Sequence, residues 1–382
     1  MKMKIGFLHA GIVQGHQSGV FRYGKLLASA VAREEGVTVL ESTVIFTEDQ
    51  TKNRNDLIKS LHHLSGVDFI HLQFTNNIWD RIRNKQWLLA FLSAPRAKLI
   101  VTLHDTNNLD FVAKLKKELG LIHKRSPFQT MNNLLSIIQK YSFFIFLMFN
   151  ASKVFVHTRR ELTTLPFTFL WQRKFSLLPH FIEERQMKLS KAEAKKKLGL
   201  TSGPIVTVLG FIFGRKGYEL LIKAIVDMPE LSLVFAGGPA RGCERYLEGL
   251  EKLAVEHNIR RRLRITGFLS DEEQDQYMAA TDLAVLPYKF MSASGALSTW
   301  IASGQTMILA HHLPEIKDYN HISPGSIETF RPYTHKALGN KIRSMMEEIL
   351  SGRSNSGILK LKEQLSLNCT SRSYLKIIRA IV

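Results

Sequence analysis

An apolar, β-branched run, Ile205-Val206-Thr207-Val208-Leu209, leads directly into the loop Gly210-Phe211-Ile212-Phe213-Gly214-Arg215-Lys216-Gly217. An amphipathic helix candidate, Tyr218 to Val226, follows it. A buried strand joined by a glycine-punctuated loop to a helix is half of a βαβ unit, and such units build parallel sheets covered by helices on both faces. The chain opens in the same order. Ile5–His9 reads as a strand, Ala10–Gly19 as a loop with Gly11, Gly15 and Gly19, and Val20, Tyr23, Leu27, Ala30 and Val31 recur at helical spacing behind it. Ser18 stands where a helix cap belongs. Two such openings in 382 residues predict two doubly wound, Rossmann-like α/β domains.

The alternation continues through both halves. Val37–Phe46, Val67–Phe74, Lys98–Leu103 and Lys153–His157 read as strands in the first half, with helices at Asp56–Leu64 and Arg160–Leu165. In the second, strands are expected at Leu231–Ala236, Leu263–Thr266, Leu283–Leu286 and Met307–Ala310. Helices are expected at Arg245–Asn258, Asp271–Ala280, Ala296–Ser303 and Lys336–Leu350. The charged stretch Glu183–Lys197 reads as a helix and puts the boundary near Arg185. The expected domains are residues 1–185, residues 186–365, and a final helix in 366–382 that packs on the first domain. Gly352–Gly357 reads as a flexible loop before the last helices.

The opening loop has the makings of an anion site. Amides at a helix start and the Lys216 ammonium converge on one volume, and a phosphate or diphosphate is the natural guest. Its spacing is neither G-x-x-x-x-G-K-[ST] nor G-x-G-x-x-G. Taken alone, the loop is equally an ordinary turn with Arg215 and Lys216 in water. His9, Gln73, His104 and Asp105 fall at the carboxyl ends of first-half strands, the side on which open α/β sheets hold ligands.

Lysine and arginine exceed acidic residues by a net +19, with a pI of about 9.9, which favours an anionic partner. Cys243 and Cys369 form no disulfide framework or zinc spacing, and no Asp-x-Asp pair is present. The N-terminus lacks the pattern of a secretory signal, and the run Phe143–Phe149 is too short to cross a bilayer. A cytoplasmic enzyme is expected. Asp110–Arg125 carries Lys114, Lys116, Lys117, Lys124 and Arg125, and apolar Met131–Phe149 follows. One reading is a solvated helix face followed by a buried helix. The other is a surface that docks on anionic lipid at the inner face of the plasma membrane.

The second half resembles glycosyltransferase family 4, retaining enzymes of the two-domain GT-B fold, in an ordered set of motifs. These are Gly210-x5-Lys216-Gly217; Leu233-Val234-Phe235-Ala236-Gly237-Gly238-Pro239; Ile265 through Glu273, followed by Tyr277 through Pro287; and Ser294-Gly295-Ala296-Leu297 with Gly304, Pro314 and Glu315. The first half agrees at Ser18-Gly19-Val20-x-Arg22-Tyr23, Val101 through Asp105, and Leu178-Pro179-His180. The resemblance implies two domains facing across a cleft and a nucleotide-sugar donor held mainly by the second. Lys216, with Arg215, would bind the diphosphate, and Gly19 and Ser18 would approach it from the first domain. Phe268 and Leu269 would present backbone groups to the base. The amides of Ser294, Gly295, Ala296 and Leu297 would meet the phosphate and donor sugar at a helix start. Phe211, Gly238, Tyr288 and Thr299 complete the donor set, and His104 would stand at the reacting centre. His9, Arg22, Gln73 and Asp105 would face the acceptor.

The sequence departs from the family in two places. Phe211 stands where the phosphate loop usually has Arg, and the usual Glu-x7-Glu pair falls on Met291 and Thr299, as in part in a Ser-Gly subgroup. The implied activity moves a hexose, with UDP-glucose or another UDP-hexose as donor, to a saccharide or lipid-linked saccharide for polysaccharide or glycoconjugate synthesis. Neither a metal, another cofactor nor nucleic acid is expected. The alternatives are a nucleotide-sugar epimerase of the same fold, which needs acidic residues in the cleft, and an inactive relative that binds nucleotide-sugar or membrane.

Overall fold

Runs of Val, Ile, Leu and Phe too short for helices form the strands, and the helices between them bury one face each. The computed structural model describes residues 2–12, 19–79, 82, 86–93, 96–104, 120, 126–165, 172–291, 294–304 and 306–381. The chain divides into two units, residues 1–180 with 367–382, and residues 181–366.

The first unit holds a six-stranded sheet in the order β2-β1-β3-β4-β5-β6. Its strands are β1 (Met3–Ile12), β2 (Val37–Phe46), β3 (Phe69–Phe74), β4 (Lys98–Leu103), β5 (Ala151–Val156) and β6 (Phe175–Leu177). The pairings are all parallel. Because β2 and β3 flank β1, the chain reverses direction across the sheet between β1 and β3, and a crevice opens at their carboxyl ends. The helix Pro127–Asn150 buries Tyr141, Phe143, Phe144, Leu147 and Met148 but exposes Phe128, Met131, Leu135 and Phe149. The stretch expected as a basic helix, Asp110–Arg125, lies outside the described residues except for Gly120. No described helix is long and apolar enough to cross a membrane.

The second unit repeats the design in the order β12-β11-β10-β7-β8-β9. Its strands are β7 (Ile205–Leu209), β8 (Ser232–Ala236), β9 (Leu263–Ile265), β10 (Leu283–Leu286), β11 (Met307–His311) and β12 (Glu328–Phe330). Again all pairs are parallel, and the reversal falls between β7 and β10. Each unit is therefore a doubly wound α/β sheet.

Some sequence expectations shift. Only Lys191–Lys197 of the expected Glu183–Lys197 helix is helical, because Ser190 and Glu193 close a capping box there. The preceding residues are held differently: the Ile182 amide donates to Leu365 O at 2.9 Å. Ile182 is buried against the second unit's core, so the division falls at His180/Phe181. Asn355 caps a helix Ser356–Gln364 that begins inside the expected flexible loop. Strand β12 and the helix Pro314–Ile322 carry too few residues of clear periodicity to be read from sequence. The last helix is Leu367–Arg379, and it inserts the Tyr374 ring against His71 and Phe155 in the first unit.

Candidate functional site

The loops after β7 and β10 meet at the reversal point of the second sheet. The loop after β7 tightens into a single 3-10 turn, Gly214–Lys216, before the helix Tyr218–Ala224. It is fastened on both sides. Ile212 N–H donates to Gly238 O at 2.8 Å, and Lys289 N–H donates to Arg215 O at 3.1 Å. Gly217 makes the second junction possible. Its φ is +73°, and a Cβ there would lie 2.0 Å from Pro287 O. Gly217→Ala is expected to cost about 3 kcal/mol or more, from left-handed strain plus a backbone clash. Urea denaturation should show it as a lower midpoint with an unchanged slope.

Between these loops lies a pocket of about 420 Å³ lined by Leu209, Gly210, Phe211, Phe213, Arg215, Lys216, Gln274, Tyr288, Phe290, Met291, Ser294, Gly295, Ala296 and Thr299. That volume suits a small-molecule ligand. Among the described residues its lining contains two cations and no carboxylate. Lys216 Nζ has a carbonyl, Leu209 O, at 3.4 Å, and the rings of Phe213 and Tyr288 at 5.3 Å each. Burial, and then the neighbouring Arg215 charge, push its pKa down to about 8. Arg215 stacks over Phe213 at 5.1 Å and Phe290 at 5.8 Å, which holds its exposed guanidinium at the pocket mouth.

The helix Gly295–Ser303 points its N-terminus into the same pocket. Ser294 Oγ caps it by accepting from Leu297 N–H at 3.3 Å. The amides of Gly295 and Ala296 have no acceptor inside the helix, as at any first turn, and the helix dipole adds partial positive charge there. Among the described residues Tyr288 Oη is buried with no protein partner of hydrogen-bond geometry. Burial raises its pKa, and the nearby Ser294 hydroxyl opposes that rise. Two cations, a helix start and an unsatisfied hydroxyl thus surround one cavity.

Of the residues expected at the donor, the pocket gathers Phe211, Arg215, Lys216, Tyr288, Ser294, Gly295, Ala296 and Thr299. Gly238 lies beside it under the Phe268 ring, where a Cβ would meet ring carbon at 2.9 Å. Phe268 in turn meets Phe211 edge-to-face at 5.8 Å, with both rings exposed. Leu269 packs against the core, and Leu297 is fully buried, so its side chain reaches no ligand. The Thr299 hydroxyl donates back to Gly295 O at 2.9 Å. Sequence reasoning did not single out Phe213, Gln274 and Phe290 for the site. They come from three separate elements and carry no motif, and only the folded chain brings them together.

In the first unit, the carboxyl ends of β1, β3, β4 and β5 bring together His9, His71, Gln73, His104 and His157, all buried. His9 Nε2 lies 2.8 Å from Glu41 Oε2, which also pairs with Lys25 at 3.0 Å. His104 Nε2 lies 2.7 Å from Gln73 Oε1, and His104 Nδ1 lies 3.3 Å from His157 Nε2. The Tyr23 ring stands edge-on to His104 and His157 and packs on His180. Burial holds His71 at about 3 and His157 at about 4, and drives His104 well below the usual histidine range. These rings are neutral, and both His104 nitrogens are engaged. Gly19 begins the helix Gly19–Val31 with open space around it, and Arg22 is exposed one turn later. Ser18 and Asp105 lie outside the described residues.

Comparison with known proteins places this architecture. The chain aligns over 99% of its length with 100% of the solved chain of Anabaena HepE in complex with UDP and glucose, at 15% identity and a TM-score of 0.68. Over 99% of its length it also aligns with 99% of sucrose-phosphate synthase from Thermosynechococcus elongatus, at 16% identity and a TM-score of 0.67. The fold is GT-B. Within it, residues 190–297 match the family model described as glycosyl transferases group 1. That GT-B segment holds the pocket's Lys216 loop and the start of the helix after Ser294. Among curated proteins, the alpha-D-kanosaminyltransferase of Streptomyces kanamyceticus is 35% identical over 105 residues, 26% of each chain. The GDP-mannose-dependent alpha-(1-6)-phosphatidylinositol monomannoside mannosyltransferase of Mycolicibacterium smegmatis is 26% identical over 108 residues, 27% of each chain. The chain thus spans about a quarter of the length of these curated relatives.

Proposed function

We propose that this chain is a retaining glycosyltransferase that moves a hexose from a nucleoside-diphosphate sugar to a saccharide or lipid-linked saccharide hydroxyl. The observation that carries this reading is the carboxylate-free pocket that unites Lys216, Arg215 and the Gly295–Ala296 amides. Positive charge from three directions suits a diphosphate leaving group. The glycosyltransferase group 1 match over the same segment favours a sugar nucleotide as the molecule that carries it. A UDP-hexose, such as UDP-glucose, is the donor we favour. It is the ligand type named for HepE, whose fold this chain shares.

In the proposed reaction the acceptor hydroxyl attacks the anomeric carbon from the face that the diphosphate leaves. The C–O bond to the phosphate breaks, a phosphate oxygen takes the hydroxyl proton, and the configuration is retained. Lys216, Arg215 and the helix amides stabilise the charge that grows on the diphosphate, so they act by electrostatic preorganisation and do not need a bound metal. His104 contributes position: its ring has no free proton to give, and none is required. The net +19 suits an anionic or membrane-borne acceptor at the inner face of the plasma membrane. Met291 and Thr299 in place of carboxylates favour a second reading, a relative that binds the sugar nucleotide without turnover.

Calorimetry with UDP, GDP and ADP tests the donor, and UDP-sugar consumption with a panel of acceptors separates the two readings. UDP is expected to bind most tightly. No binding of any of the three sinks both readings. Because Lys216 loses its proton near pH 8, affinity for UDP-glucose should be flat from pH 6.5 to 7.5. Above pH 8 it should weaken by up to about tenfold per pH unit, with proton uptake on binding. A flat profile to pH 9.5 excludes Lys216 as the charged partner.

A further inference from the structure

A buried chain of polar side chains runs through the first unit behind His104, and hydrogen-bond direction dictates its protonation. It begins at Leu178 O, which can only accept. His157 Nδ1 lies 2.9 Å from it and carries a proton. A neutral His157 then presents a lone pair at Nε2, 3.3 Å from His104 Nδ1. That nitrogen carries the next proton, which leaves a lone pair on His104 Nε2. The Gln73 side-chain amide lies 2.7 Å away on that side. With its oxygen turned to His104, two lone pairs face each other somewhere along the chain. With its nitrogen turned there, every group is satisfied, and the two ends of an amide have the same shape. The Gln73 oxygen then accepts from His71 Nε2 at 3.3 Å, a nitrogen that also lies 2.8 Å from Thr102 Oγ1. The chain ends where Tyr374 Oη donates to His71 Nδ1 at 2.9 Å. Tyr374 belongs to the last helix, Leu367–Arg379.

We propose that Gln73 and His157 are positioning residues that lock His104 as its Nδ1–H tautomer, with the Gln73 amide nitrogen donating to His104 Nε2, and that the Tyr374 hydroxyl, able to donate or accept, follows that direction and closes the chain at its far end. The effect on turnover rests on the proposed glycosyl transfer, with His104 at the reacting centre; the tautomers do not. The low basicity of the three buried rings agrees with an all-neutral chain. The apolar packing of Tyr374 on His71, with ring centroids 5.2 Å apart and nearly parallel, fixes the far end in place. A ring held at both nitrogens keeps its plane, and with it the shape of the strand end it occupies.

The test uses the full chain labelled with ¹⁵N-histidine and long-range ¹H–¹⁵N correlation spectra, assigned by single substitutions. Neutral rings protonated at Nδ1 for His104 and His157, and at Nε2 for His71, are expected. A His104 protonated at Nε2 in the unaltered chain overturns the proposal, whether or not transfer activity is found. Gln73→Glu replaces the donor with a group that can only accept. His104 is expected to switch to Nε2–H or to become an imidazolium, and kcat is expected to fall about tenfold with the donor KM within about twofold. Unchanged kcat with an altered tautomer removes the positioning role while leaving glycosyl transfer intact. Tyr374→Phe deletes only the terminal hydroxyl and serves if Gln73→Glu folds poorly. His71 is expected to stay protonated at Nε2, held by the Gln73 oxygen, and a His71 that moves to Nδ1–H overturns the assigned Gln73 orientation.

Discussion

Lys216→Met is expected to lower transfer by roughly 10²–10³-fold, the scale of a lost preorganised donor in other enzymes, and to raise the melting temperature. The two effects have one cause. The ammonium lies in a half-buried pocket with one distant carbonyl and two aromatic faces, beside a second cation, and its pKa falls from 10.5 to about 8. At pH 7 the folded protein therefore carries a proton that it binds less well than the unfolded chain does. Removing the charge relieves on the order of 3 kcal/mol, and a diphosphate would relieve the same strain by supplying a counter-charge. In the unaltered protein, stability should rise with pH between about 8 and 10.5 as the amine neutralises, and that rise should vanish in the variant. Differential scanning calorimetry and a coupled UDP-release assay measure the two arms. If turnover and melting temperature fall together, Lys216 is a structural residue. If turnover stays within tenfold, it is not the diphosphate ligand.

Acidification from pH 6.5 to 5 is expected to destabilise the first unit by about 3 kcal/mol or more, a large fraction of the stability of an ordinary domain. His71 and His157 are neutral down to about 3 and about 4, and His104 is also held well below 6.5. The unfolded chain takes up protons on these residues near pH 6.5 and the folded one does not. Each ring therefore removes up to about 1.4 kcal/mol per pH unit across that window. The stability is fully present above pH 6.5, and its loss stops once the folded rings themselves protonate. Carboxylates with lowered values, such as Asp282 and Glu328 in the second unit, act only at lower pH. Tryptophan fluorescence of a Trp300→Phe variant reports the first unit alone, because the remaining tryptophans, Trp79, Trp87 and Trp171, all lie there. A urea midpoint that stays flat from pH 6.5 to 5 contradicts the prediction.

Hydrophobic periodicity made much of the architecture legible, because a strand buried on both faces must be apolar along its whole length. Ile205–Leu209, Leu283–Leu286 and Lys98–Leu103 are strands with the bounds expected from their residues. Short edge elements were not legible. Glu328–Phe330 has three residues and takes its strand form from pairing with β11. The charged stretch before Lys191 looked helical by composition, yet Ile182 is held by Leu365 and Ser366, almost two hundred residues away.

The Gly210–Gly217 loop shows the same division within the site. By itself the sequence determined that a strand ends there, that a glycine follows Lys216, and that two cations are adjacent. These are local matters of backbone freedom and charge. Only the tertiary structure decided what those cations face. The reversal of strand order between β7 and β10 brings Tyr288, Ser294 and the start of the next helix opposite Lys216, and the aromatic rings of Phe213, Tyr288 and Phe290 set the direction of both cations. His104 is the counterpart in the first unit. Its place at a strand end was readable from sequence, but its neutral, doubly engaged ring depends on partners 31 and 53 residues away. Protonation there follows from burial and hydrogen-bond direction, which are properties of the folded chain.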